Sequence, residues 1–313
     1  METRPSISHK LLPQTFPEPW ACDWGQDSYG LWLGFKYKGV RQGLRWIPPG
    51  EFMMGSPESE PERLDNEDLH NVMITEGFWL AETACTQALW ETVMDDNPSR
   101  FKGADRPVES ISWEDCQIFI DRLNVAIPGL DICLPTEAQW EYACRAGTTT
   151  PFHFGETITT DQVNFNGNYP YNDGLKGEYR KQTVTVKTFS CNSWGLYEMH
   201  GNVWEWCADW YGPYPKETVV NPTGPNQGKR RVLRGGSWIG VARNVRSALR
   251  YRNDPADRLD LNGLRFARGQ TAGQGAGGAG QSSQRKDFDS TSVLSKKEKK
   301  PSALGFLKRL FKK

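Results

Sequence analysis

Gly195–Tyr211 reads GLYEMHGNVWEWCADWY, and a little further on Arg231–Trp238 reads RVLRGGSW. Indoles here stand among glycine, asparagine and serine, and the whole chain repeats that mixture, with 13 Trp against 31 Gly and 20 Pro. Large rings set among many turns point to a loop-rich fold whose irregular backbone is pinned by indoles, unlike a helical bundle. Within MHGNVWEW, His200 reads as a packed structural residue.

Outward from this stretch, residues 147–236 carry frequent Gly, Asn and Pro and read as loops and short strands, a long irregular run for a compact domain. Upstream, three helices are predicted. Thr86–Met94 has Thr86 as N-cap. Ser112–Leu123 pairs Ser112 with Asp115 in a capping box, and its apolar residues recur every three or four positions. Thr136–Ala146 pairs Thr136 with Gln139 in the same way. Leu31–Tyr37 and Leu44–Ile47 read as a hairpin around Gly39, and Pro48-Pro49-Gly50 breaks the strand that follows. Ser56–Asn66, acidic and proline-flanked, reads as a surface loop. After Arg268 comes GQTAGQGAGGAGQSSQ, a flexible linker by composition.

At 313 residues the chain is long enough to bury a core without metal or disulfide staples. Formal charge is zero, but from Arg285 onward there are ten basic residues against three acidic ones. The remainder is therefore mildly acidic and offers nothing to nucleic acid, while the tail is a basic appendage. Seven scattered cysteines form no CxxC pair and no zinc-like cluster. METRPSISHKLLPQTF lacks the apolar core of a signal peptide, and no apolar run is long enough to span a bilayer. The expectation is a reduced, cytoplasmic protein.

Six segments in order carry a resemblance: Ile47–Ser56 (IPPGEFMMGS), Phe78–Met94 (FWLAETACTQALWETVM), Arg106–Trp113 (RPVESISW), Leu134–Gly147 (LPTEAQWEYACRAG), Gly195–Tyr211 and Arg231–Trp238. Together they resemble the formylglycine-generating-enzyme (sulfatase-modifying factor) family. The resemblance implies an α+β, C-type-lectin-like domain over 46–268 with little regular secondary structure. Residues 1–45 are expected as an extension packed on it, and 269–313 as a disordered basic tail.

The activity does not follow from the resemblance. The family's oxidising enzymes bind copper through two cysteines shortly after GGS, whereas here the last cysteine of the chain is Cys207. A thiolate is both metal ligand and reactive group in that chemistry. The iron-dependent sulfoxide synthases of the same fold use three histidines on a helical domain. This chain has only His9, His70, His153 and His200, without ligand spacing. No copper or iron is expected, and enzyme status stays open, with a non-enzyme favoured.

The segment after GGSW suggests an alternative. Arginines alternate with apolar residues between the turn markers Asn253-Asp254-Pro255 and Asn262-Gly263. These residues are either core beneath a loop or an exposed ligand-binding surface; the second reading is adopted. The segment also resembles the variable region of proteins diversified by retroelements, which use this lectin-like fold. Adenine-directed mutation of asparagine codons yields the residue types at Ile239, Gly240, Val241, Leu249, Tyr251, Asp257, Leu259, Asp260 and Leu261. With Trp238 these are the expected contacts for a protein or glycan ligand. The length of tail after Arg268 departs from that pattern.

By the same family resemblance, a structural calcium ion would be held by the Asn202 side chain, the Val203 carbonyl and Glu205, with a second site at Asn164 and the Phe165 carbonyl. Alternatively, Asn202 and Glu205 make only turn hydrogen bonds. The end of the tail, ALGFLKRLFKK, suits a partner groove or an acidic membrane surface. The expected function is non-catalytic ligand binding. The alternatives are an enzyme of the same family with chemistry independent of the missing cysteines, or a partner module recruited through the tail.

Overall fold

The computed structural model describes residues 11–269. The expected linker, the amphipathic tail and His9 lie outside the described residues. A six-stranded sheet runs in the order β1-β2-β3-β6-β13-β7. Its strands are β1 (Asp23–Asp27), β2 (Gly30–Tyr37), β3 (Val40–Ile47), β6 (Phe78–Ala81), β7 (Ile132–Cys133) and β13 (Ala267–Arg268). The predicted hairpin is β2–β3. Lys38 and Gly39 both have positive φ (43° and 89°), the conformation that lets a two-residue turn follow the strand twist. β1 is a strand that the sequence reading missed.

A three-stranded sheet contains β4 (Gly50–Met54), β5 (His70–Ile74) and β9 (Val219–Val220); a four-stranded one runs β11-β10-β8-β12. The latter comprises β8 (Trp204–Trp210), β10 (Arg231–Arg234), β11 (Tyr251–Asn253) and β12 (Asn262–Gly263). Thus the NVWEWCADWY and RVLR stretches form neighbouring antiparallel strands, β8 and β10, with Arg231 opposite Trp210 and Leu233 opposite Trp206.

All three helices form: α1 (Gln87–Met94), α2 (Trp113–Ala126) and α3 (Glu137–Arg145). Thr86 caps α1, and both predicted capping boxes close, Ser112 with Asp115 and Thr136 with Gln139. α3 is buried along its whole length. Trp140 and Ala143 join Ile47, Val72, Phe78, Leu196, Met199 and Val232 in the main core. Burial of a ring that size contributes strongly, since Trp→Ala in a core costs about 3–5 kcal/mol.

Between α3 and β8 the backbone has no helix or named strand. Buried asparagines give it partners instead. Asn192 donates to the Ala143 and Cys144 carbonyls at the end of α3 (2.8 and 3.3 Å) and accepts from the Trp194 and Leu196 amides. Asn202 bonds both the amide and the carbonyl of Val184 (2.9 and 3.2 Å), as a neighbouring strand residue would. These bonds satisfy backbone groups that would otherwise be buried without partners.

One expectation fails in part. Ser56–Asn66 is no wholly solvated loop: Ser56, Glu60 and the adjoining Glu67 are buried. The reason is Arg246, whose guanidinium draws Glu60 and Glu67 inward.

Candidate functional site

β10 leads into Gly235-Gly236, both with positive φ (93° and 80°). A Cβ on Gly236 would lie 2.7 Å from the Asn244 carbonyl oxygen, so only glycine lets the chain fold back so tightly. A short 3-10 turn, Ala242–Val245, then packs Ala242 and Val245 against Phe152, Phe165 and Tyr171. This apolar turn occupies the segment after GGS that carries cysteines in the family's oxidising enzymes.

The expected exposure of this segment is not found. Trp238, Ile239, Gly240, Val241, Leu249 and Leu261 are buried, while Tyr251, Asp257, Leu259 and Asp260 are half-buried. The turn markers do expose Asp254, Ala256 and Arg258, but the flanks dip inward because their arginines are anchored in the core. Arg246 reaches Glu60 at 2.5 Å and grips Glu67 through two nitrogens (2.7 and 2.8 Å). Arg250 forks onto Glu137 with two bonds of 2.7 Å. Arg234 meets Glu141, and Arg265 clasps Glu205. Planar guanidinium forks suit buried carboxylates, and each pair satisfies charges that would be prohibitive alone. The alternation of arginine with apolar residues is therefore a core pattern.

What remains at the surface is a rim around Trp238. Tyr179 stacks on its indole (centroids 6.4 Å, 13°), and Phe101 meets it edge-on at 5.1 Å. Trp238 Nε1 donates to the Asp260 carbonyl (2.9 Å), which fixes the ring. Outside lies the Arg100–Asp260 pair at 2.5 Å, with Arg100 59 % exposed and over the Phe101 ring. Beneath, Glu109 accepts from the Phe101 amide (2.9 Å); burial pushes its carboxyl above the usual range. Lys181 stands over Tyr179, whose phenol is pushed up by burial and by Asp260. Of this rim the sequence reading found Trp238 and Asp260. Phe101 and Tyr179 were missed because they lie far away in sequence, and no spacing signal connects them.

The family's calcium ligands fit this chain poorly. Both oxygens of Glu205 accept from Arg265 (2.9–3.1 Å), and Trp140 Nε1 donates to one of them at 2.6 Å. Asn202 Oδ1 already accepts from the Val184 amide and from Asn164 Nδ2. A cation shared by Asn202, Val203 and Glu205 would have to displace a guanidinium. At Asn164 and Phe165, by contrast, the Asn164 Oδ1 is buried and accepts nothing, so one oxygen there fits a hard cation. Among the described residues, no cluster of three His, Cys, Asp or Glu side chains could hold a metal.

His200 is a satisfied core residue. Its Nδ1 lies 2.6 Å from the Val245 carbonyl, its Nε2 accepts from the His153 amide (3.2 Å), and burial pulls its pKa down to about 4. Its neighbour Cys144 is fully buried, and burial pushes its thiol up to about 12, against the thiolate that nucleophilic attack needs. No described helix is long and apolar enough to cross a membrane.

The formylglycine-generating enzyme of Streptomyces coelicolor is 34% identical over 173 residues, covering 52% of this chain and 52% of that enzyme. The serine/threonine-protein kinase pkn1 of Chlamydia caviae is 40% identical over 141 residues, which is 44% of this chain but 21% of the kinase. The chain thus spans between a fifth and about half of these curated relatives. Among solved structures, Treponema denticola variable protein 1 superimposes with a TM-score of 0.64 at 25% identity, covering 76% of this chain and 98% of that one. The fold is the expected α+β, C-type-lectin-like one. Residues 38–270 match the family described as the sulfatase-modifying factor enzyme 1-like domain, and the chain belongs to that family.

Proposed function

We propose that this protein is a non-catalytic ligand-binding member of the family, with its contact face at the rim of Phe101, Tyr179, Trp238, Arg100 and Asp260. The observation that carries this reading is the two half-buried rings of Phe101 and Tyr179, packed on the buried Trp238 indole beside the exposed Arg100. Rigid rings on a fixed scaffold supply contact area at low entropic cost. The ligand class is a protein or a surface glycan. Similarity to a variable protein supports this reading, and so does the absence of any cysteine after Cys207.

Retroelement diversification is proposed in a narrower form. Tyr251, Asp257, Leu259 and Asp260, all half-buried, are the proposed variable positions, whereas Ile239, Val241, Leu249 and Leu261 are buried and constrained by packing. The test is the DNA flanking the gene. A near-copy of codons 231–268, differing where the copy has adenine and lying beside a reverse transcriptase, supports diversification. Mismatches confined to the buried positions would overturn the rim as its target. Binding itself is tested on glycan and protein arrays, with Tyr179→Ala as the variant expected to lose every hit. Hits that survive in Tyr179→Ala would refute the rim.

The enzymatic alternative is favoured by one observation, the identity to formylglycine-generating enzymes. Stoichiometric copper in the purified protein, or aldehyde formation on a cysteine-containing peptide, would establish it. A cytoplasmic setting and a tail contact with a partner or an acidic membrane are further proposals; loss of all binding on deleting 269–313 would move the function to the tail.

A further inference from the structure

We propose that Trp113, Trp210, Arg231 and Asn253 form a binding site for a small oxyanion, a carboxylate, phosphate or sulfate group, separate from the Trp238 rim. The Arg231 guanidinium lies between two indoles, 3.5 Å from the ring centre of Trp210 and 3.8 Å from that of Trp113. Both rings are held from outside the stack. Trp113 Nε1 donates to the Cys207 carbonyl at 2.9 Å, and Trp210 belongs to β8, with Gly228 against its side chain. With its two faces covered, the guanidinium can offer a ligand only its edge, which is the geometry that planar and tetrahedral oxyanions accept.

The edge is short of acceptors. Arg234, Arg246, Arg250 and Arg265 each have a carboxylate partner within 2.9 Å. Arg231 Nη1 donates to the Ala208 carbonyl at 2.6 Å, and its Nε is buried and donates to nothing. The carboxyl that acts on it electrostatically is Asp209, and burial together with Glu137 pushes that group up to about 8. At neutral pH it is therefore mostly uncharged. Burial pulls Arg231 down only to about 10, so the guanidinium stays charged.

A second donor faces the same side of the sheet. Asn253 is directly opposite Arg231 in the β10–β11 register, is 8 % exposed, and has a buried Nδ2 without an acceptor. Cross-strand partners hold their Cβ atoms about 4.5–5.5 Å apart on one face. Arg231 Nε and Asn253 Nδ2 thus lie on one face of the sheet as two donors without a protein acceptor, an arrangement that costs stability unless something supplies the oxygen. Trp113, Trp210 and Arg231 are each half-buried, so part of the stack reaches solvent, and an anion would approach from that side.

The experiment is a titration of the full-length protein at pH 7.5 with sodium acetate, phosphate or sulfate, with chloride holding ionic strength constant. Melting temperature and indole fluorescence are both read. A saturating rise in melting temperature with a fluorescence change supports the site. A stronger response to acetate marks a carboxylate ligand, and a stronger response to phosphate or sulfate marks a phosphorylated or sulfated one. Arg231→Lys is expected to bind at least tenfold more weakly, because an ammonium cannot fork. Asn253→Asp supplies an internal carboxylate opposite Arg231; its melting temperature should rise and its anion response vanish, even if Arg231 variants fold poorly. No response to any of the three anions, or an equal response in wild type and Asn253→Asp, overturns the proposal.

Discussion

Arg246 meets Glu60 at 2.5 Å, and Arg100 meets Asp260 at 2.5 Å. The Arg246 side chain is fully buried, with Glu60 3 % exposed; the Arg100 side chain is 59 % exposed. Identical contacts therefore serve opposite purposes. The inner pair ties an acidic loop to the C-terminal segment and is needed for the fold. The outer pair has its arginine in water, where ion pairs contribute little, so Arg100 can exchange its partner for a ligand.

The largest expected effect tests the inner pair. Arg246→Met leaves Glu60 and Glu67 buried without their cation and should cost about 3–5 kcal/mol in urea unfolding, or prevent folding. A loss below about 1 kcal/mol would erase the distinction between the two pairs.

Next comes Asp209, whose carboxyl is raised from 3.8 to about 8, chiefly by burial and then by Glu137. Because its folded pKa is above its unfolded one, its contribution to stability is fully present below about pH 4 and is lost as pH rises through 8. Asp209→Asn removes that dependence. Relative to the variant, wild type should lose on the order of 1.4 kcal/mol per pH unit within the window. Parallel pH–stability curves for the two proteins would show that Asp209 does not titrate there.

At the rim, Tyr179→Ala should change stability by less than about 1 kcal/mol, as surface substitutions do, while weakening ligand binding at least tenfold. Equal losses in both would make Tyr179 a core residue. Smallest of all, Arg100→Ala should leave unfolding within about 1 kcal/mol of wild type and chiefly alter the salt dependence of association. Chelators should leave the Glu205 region unaffected, because Arg265 already neutralises that carboxylate; a chelator-induced drop in melting temperature would place a cation elsewhere, with Asn164 the first position to examine.

Much of the local structure was legible. Thr86, Ser112 with Asp115, and Thr136 with Gln139 announce their helices, because a cap is a contact between residues three apart. Lys38-Gly39 announces its turn for the same reason. The site was less legible. Trp238 and Asp260 stood out, but Phe101 and Tyr179 did not, because stacking on Trp238 leaves no mark in their own neighbourhood. The alternating arginines of 243–265 invited a surface reading, since a charged residue in sequence gives no sign of the carboxylate that will bury it.

By itself the sequence determined the family, through six ordered segments, and the absence of the oxidising cysteine pair, because ligand chemistry depends on residue identity. It also determined the capped helices and the β2–β3 turn, where the deciding contacts are local. Only the tertiary structure decided which arginines are core and which are surface, that Glu60 and Glu67 turn inward, and that Glu205 is held by Arg265. Burial and charge pairing are set by partners distant along the chain: Glu67 with Arg246 and Glu205 with Arg265 meet only once the sheets have assembled.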